Sequence, residues 1–130
     1  MNTTIRKAVD ELKKHKEVKA VYLFGSYAKG TNLPFSDIDI CILTEKRISS
    51  TKKANIIANS SDNVDIVLFS ELPVTIRYRI LKEGKLLFVR NEAEIHSAAV
   101  QTLKEYLDYR PLIERFSEEY FGDRKWIDKE

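Results

Sequence analysis

A single cysteine, Cys41, leaves the chain without an internal disulfide and excludes the disulfide-stapled secreted scaffolds. Its setting in "DIDICIL" marks it as a small apolar strand residue, not a reactive thiol. No apolar run approaches the roughly 20 residues that a membrane-crossing helix needs. The opening "MNTTIRKAVDELKKHK" has no apolar signal-peptide core, so a cytoplasmic location is expected. Charge of one sign is not in excess either. The 22 basic and 20 acidic residues leave a net charge of +2, too even to announce a nucleic-acid binder. There are two histidines, His15 and His96, each isolated from other metal-type ligands, and both read as surface residues. No internal repeat and no low-complexity linker interrupts the 130 residues, so a single domain over 1–130 is expected, with C-terminal helices from about residue 91.

What is present is the composition of a folded chain, with 43% hydrophobic and 32% charged residues. Asn2 or Thr3 can cap a first helix whose apolar side is Ile5, Val9 and Leu12. "VKAVYLFG" (Val18–Gly25) reads as a buried central strand, followed by two similar runs, "DIDICIL" (Asp37–Leu43) and "VDIVLF" (Val64–Phe69). A weakly helical stretch around Lys52–Ala58 lies between the second and third runs. The spacing predicts a helix opening at Pro73, a turn at Glu83-Gly84 and a short strand at Leu86–Val89. Ile95, Ala99, Leu103, Tyr106 and Leu107 mark an amphipathic helix. Pro111 is expected to start a last one, with Leu112, Ile113, Phe116 and Tyr120 on its apolar side.

The chemistry concentrates in "FGSYAKGTNLPFSDIDICIL" (Phe24–Leu43). Aspartate is disfavoured in strands, yet two stand two apart and so point to one side, roughly 6.6 Å apart along the chain. Ile38, Ile40 and Ile42 face the other way. Only the eleven residues Ser26–Ser36 join the first two strands, too few for a parallel crossover, so these strands should be antiparallel, with Gly25-Ser26 beside Asp37. The longer connection to the third strand can hold a crossover helix, which makes strands two and three parallel. A mixed sheet of order 1-2-3 then gathers Gly25, Ser26, Asp37, Asp39 and Asp65 at one end. At an effective dielectric of about 20, one such carboxylate pair costs on the order of 2.5 kcal/mol. Water, protonation or a divalent cation can relieve that repulsion. Mg²⁺ binds carboxylates together with phosphate oxygens, and a Gly-Ser turn offers close backbone approach and free N–H groups. Together these describe a nucleoside triphosphate site. "GSYAKGT" is not a Walker A loop, because Thr31 stands where the lysine belongs.

The stretch resembles the signature of the nucleotidyltransferase superfamily of the DNA polymerase β type, specifically its minimal members. Gly25-Ser26, ten residues, and then Asp37-Ile38-Asp39 match that signature, with Ser36 before the first acid, Asp65 as third carboxylate and Lys29 at a usual Arg/Lys position. "IRYRILKEGKLLF" (Ile76–Phe88) is also similar to the segment that follows in these proteins. The resemblance covers roughly residues 1–90.

It implies an α+β nucleotidyltransferase fold, a mixed sheet flanked by helices, and transfer of a nucleoside monophosphate, usually AMP from ATP, to a hydroxyl. By the same resemblance Asp37, Asp39 and Asp65 are catalytic and hold Mg²⁺ or Mn²⁺, while Gly25, Ser26, Lys29 and Ser36 bind nucleotide. Small members often accompany a HEPN-domain toxin as its antitoxin and adenylylate a toxin tyrosine. The implied partners are thus a HEPN toxin, in a hetero-oligomer, and ATP, with no membrane and no nucleic acid. A binding module that neutralises its partner by contact alone, or nucleotidyl transfer to a small molecule or RNA, are the alternatives. Trp126, in the charged tail, is the candidate interface residue, and Phe116 is expected to cover the sheet. Arg77 and Arg79 read as helix surface, with a nucleotide or partner contact as the second reading.

Overall fold

The computed structural model describes residues 2–61 and 63–121, and the side chains of 112–114 and 116–121 lie outside it. Helix α1 (Thr3–Lys13) starts where the Asn2 carboxamide oxygen accepts from the Thr4 and Ile5 N–H groups at 2.7 and 3.3 Å. It buries Ile5, Ala8, Val9 and Leu12, the side that its spacing predicts. Strand β1 (Val18–Phe24) passes into one helical turn, α2 (Ser26–Lys29), and a loop leads to β2 (Ile38–Thr44). Helix α3 (Ser50–Ile57), capped by the Ser49 hydroxyl, crosses over to β3 (Val64–Leu68). A short 3-10 turn (Phe69–Glu71), α4 (Val74–Glu83), β4 (Lys85–Val89) and α5 (Glu92–Phe121) complete the chain.

The four strands lie in the order β3-β2-β1-β4, with β1 antiparallel to both β2 and β4 and β2 parallel to β3. The expected 1-2-3 core is present, and β4 extends it on the free side of β1. Side-chain alternation sends Val21, Leu23, Ile38, Ile40, Ile42, Val64, Ile66 and Leu68 into one core with α1 and α3. Ala20, Tyr22 and Cys41 face the other way, against Phe69, Ile80 of α4, and Ile95 and Ala98 of α5. Burial pushes the Cys41 thiol up to about 12, so it stays protonated and unreactive at neutral pH.

Two features depart from the sequence reading. Asp37 precedes β2 instead of opening it. Pro111 lies inside α5 and starts no helix. Proline forfeits one N–H bond to the preceding turn and crowds that turn's carbonyl, a cost of about 3 kcal/mol. Helix-forming sequence continues on both sides of it, and α5 is already anchored on α4 upstream. That anchor is a stack of Tyr78 on Tyr106, centroids 3.9 Å apart, beside an Arg77–Glu105 ion pair at 2.9 Å. Among the described residues no helix is long and apolar enough to cross a membrane. Trp126 and the side chains of Leu112, Ile113, Phe116 and Tyr120 fall outside the described set.

Candidate active site

At the end of the sheet where β1 stops, β2, β3 and β4 begin. The antiparallel register sets Phe24 opposite Asp39, and the parallel register sets Asp39 opposite Asp65. The start of β2 is pinned to β3 by the Ile38 N–H, which donates to the Asn63 carbonyl at 2.9 Å. Asp39 and Asp65 alternate with core isoleucines and valine, so both carboxylates stand on the α4 side of the sheet. The short connection and the two-residue period bring Gly25, Asp39 and Asp65 together, as the sequence implies.

Gly25 is indispensable on two counts. Its φ of +74° belongs to a region that side chains strain, and a Cβ there would collide with the Asp39 carboxylate oxygen Oδ2. Beyond it, the Gly25 carbonyl accepts from the Ala28 and Lys29 N–H groups, each at 3.2 Å. A helix of one turn leaves its first N–H groups, those of Ser26 and Tyr27, without an intrahelical acceptor. Those donors border the carboxylate cluster.

The electrostatics follow from this crowding. Asp39 is half-buried, and desolvation raises its pKa above the ordinary carboxylate value, with further upward pushes from Asp65 and then Asp37. Among the described residues no three His, Cys, Asp or Glu side chains converge as a ready-made metal cluster. Three like charges favour separation, and a shared sheet end keeps them within electrostatic reach. The donor set nonetheless fits a hard divalent cation: it is all oxygen, and the missing Cβ at Gly25 leaves room beside Asp39 Oδ2. Asp37, Asp39 and Asp65 are the side chains that could hold Mg²⁺ or Mn²⁺.

A pocket opens next to the Gly25 turn, floored by Phe24, Ala28, Ile76 and Ile80 and edged by Lys29, Arg79 and Glu83. Lys29 stands 3.8 Å from Glu83. The sequence names Lys29 for this region but reads Arg79 as helix surface and passes over Glu83. The signal was there in their four-residue spacing, which puts both on one side of α4. Arg77 goes elsewhere. Its guanidinium reaches the Leu72 carbonyl at 3.0 Å and both Glu105 carboxylate oxygens at 2.9 and 3.3 Å, holding α4 to α5. Arg77 thereby keeps the Glu105 carboxyl below its usual range. Ser36 sits in the loop before Asp37, where its hydroxyl oxygen accepts from the Leu33 N–H at 2.8 Å.

A mixed sheet with a Gly-Ser turn set beside paired aspartates is the architecture of a nucleotidyltransferase. The chain belongs to the polymerase beta nucleotidyltransferase family, whose model matches residues 6–93. A Methanocaldococcus jannaschii protein that bears a protein adenylyltransferase name is 36% identical over 72 residues, 55% of this chain and 57% of that relative. The chain thus spans little more than half the length of that relative. The protein adenylyltransferase MntA of Shewanella oneidensis is 32% identical over 95 residues, 69% of this chain and 67% of MntA.

Among solved structures, a toxin–antitoxin crystallised with AMP-PNP has a TM-score of 0.71 and 21% identity, covering 87% of this chain and 95% of its own. The complex of a tri-AMPylated Shewanella oneidensis HEPN toxin with its MNT antitoxin gives 0.67 and 20%, covering 89% and 94%. At these identities the likeness establishes the fold.

Proposed function

We propose that the chain is a metal-dependent protein adenylyltransferase that moves AMP from ATP to a hydroxyl of a partner protein, a HEPN toxin tyrosine, and so acts as its antitoxin. The observation that carries the reading is the strand register, which sets Asp39 opposite Asp65 and opposite Phe24 at the Gly25 turn. The protein adenylyltransferase names of two relatives, and the antitoxin complexes with the same fold, support it.

In this account the Ser26 and Tyr27 N–H groups and Lys29 hold the β- and γ-phosphates, with Gly25 allowing their close approach. Asp37, Asp39 and Asp65 would hold the divalent cations, which when bound neutralise charge on the attacking and leaving oxygens. Ser36 shapes the loop that delivers Asp37 and lends its hydroxyl proton to the nucleotide. The acceptor oxygen forms a bond to the α-phosphorus while the bond from that phosphorus to the bridging β-phosphate oxygen breaks. Pyrophosphate departs, and the hydroxyl proton passes to the Asp65 carboxylate and on to water. Mg²⁺ as the working ion, and a cytoplasmic location, are part of the proposal.

The test uses ATP labelled at the α- or the γ-phosphate, Mg²⁺ and the HEPN partner. Label should move to the partner from the α-position alone. Transfer from the γ-position would make the protein a kinase, and label on RNA or an aminoglycoside in place of the protein would redirect the acceptor.

A further inference from the structure

We propose that the turn Leu33–Pro34–Phe35–Ser36 is the docking element for the acceptor protein, an apolar tip that anchors a neutral or basic segment around the hydroxyl to be modified. The inference deepens the adenylyl-transfer reading and rests on it. Phe35 is 81% exposed and Leu33 52% exposed, so this chain's own core holds neither side chain. The turn is nevertheless built. The Ser36 N–H donates to the Leu33 carbonyl at 3.0 Å, and the Leu33 N–H donates to the Ser36 hydroxyl oxygen at 2.8 Å. Pro34, in the second position, fixes its own φ. An apolar tip held in shape before binding needs little further ordering when a partner arrives.

Position and charge identify the occupant. Asp37 follows the turn directly, and the next residue is tied to β3 through the Ile38 N–H, so the tip stands at a fixed place on the rim of the carboxylate end. The acceptor oxygen must come within about 3–3.5 Å of the α-phosphorus held there. Whatever polypeptide carries that oxygen therefore lies against this rim. Asp37 and Asp65 already push the Asp39 carboxyl upward through like charge, and the same field repels an acidic acceptor and favours a neutral or basic one. An aromatic anchor beside a charge-selective mouth is the composition that protein interfaces concentrate at their energetic centres.

The experiment is steady-state AMP transfer to the HEPN partner by wild type, Phe35→Ser and Phe35→Leu, with mant-ATP binding in Mg²⁺ measured in parallel. Phe35→Ser should raise the KM for the partner about tenfold, as loss of one anchor would. Its kcat at saturating partner and its mant-ATP affinity should stay within roughly twofold of wild type. Phe35→Leu should recover most of the loss. Unchanged KM in Phe35→Ser overturns the inference, as does an equal loss of ATP affinity, which would make the turn a structural support of Asp37. A self-association seen by sedimentation in wild type and lost in Phe35→Ser, with transfer unaffected, would assign the tip to a second copy of this chain and also overturn it. If wild type binds ATP yet transfers no AMP, the transfer reading fails separately, and partner affinity by calorimetry still decides the docking: Phe35→Ser must weaken it about tenfold.

Discussion

At the scale of single residues, Gly25 and Asp39 are the two positions whose chemistry is coupled most tightly, because one leaves the space that the other's carboxylate fills. Gly25→Ala forces a side chain into a strained φ and against Asp39 Oδ2 at once. It should cost about 1–3 kcal/mol in urea unfolding and abolish nucleotide binding. Gly30→Ala is the control: Gly30 also has φ +74°, but nothing lies within 4 Å of a Cβ there. It should lose about 1 kcal/mol and keep binding ATP. Asp39→Asn should do the opposite to stability. Coulomb's law at dielectrics from about 80 to about 20 puts the relieved repulsion at roughly 0.6–2.5 kcal/mol per neighbouring carboxylate, so metal-free Asp39→Asn should melt a few degrees higher.

The sign with pH follows from the raised Asp39 pKa. The folded state holds this proton to higher pH than the unfolded chain does. The penalty of the charged form thus sets in as pH rises from the unfolded value near 3.8 through the raised folded value. The advantage of Asp39→Asn should be full at neutral pH and vanish below about pH 3.8. Adding Mg²⁺ should stabilise wild type and not Asp39→Asn, with the effect fading as pH falls toward the folded pKa. A melting temperature for Asp39→Asn below that of wild type in EDTA would contradict the electrostatic account.

Among the elements, α4 has two duties that its sequence does not separate. Ile80 buries against the sheet, while Arg79 and Glu83 edge the pocket beside the Gly25 turn. Arg77, two residues from Arg79, serves packing instead, through a carboxylate 28 residues away. Arg77→Ala should cost about 1–2 kcal/mol, discounted because Glu105 is partly exposed, and leave the KM for ATP unchanged. Thermal unfolding and initial rates check this, and a raised KM with intact stability would place Arg77 in the site. The contrast shows what a sequence can reveal. The antiparallel β1–β2 pair, the crossover through α3 and the meeting of Asp39 with Asp65 were legible because short connections and two-residue alternation leave few alternatives. The partner of Arg77, the exposure of Phe35 and the passage of α5 through Pro111 were not. Each depends on contacts distant in sequence, or on tertiary packing that overrides a local preference.

For the molecule as a whole, a four-stranded sheet covered on both faces presents one polar end, and that end carries every residue the signature names: Gly25, Ser26, Lys29, Ser36, Asp37, Asp39 and Asp65. The described residues offer phosphate donors and carboxylates there, together with a preformed apolar turn, while the acceptor hydroxyl comes from another protein. The most direct measurement is the intact mass of the HEPN partner after incubation with ATP, Mg²⁺ and either wild type or Asp39→Asn. The account predicts a gain of one or more AMP masses with wild type, none with Asp39→Asn, and loss of toxin neutralisation in step with the missing mass. No AMP mass with wild type, with neutralisation surviving in Asp39→Asn, would contradict it and leave an antitoxin that works by contact alone.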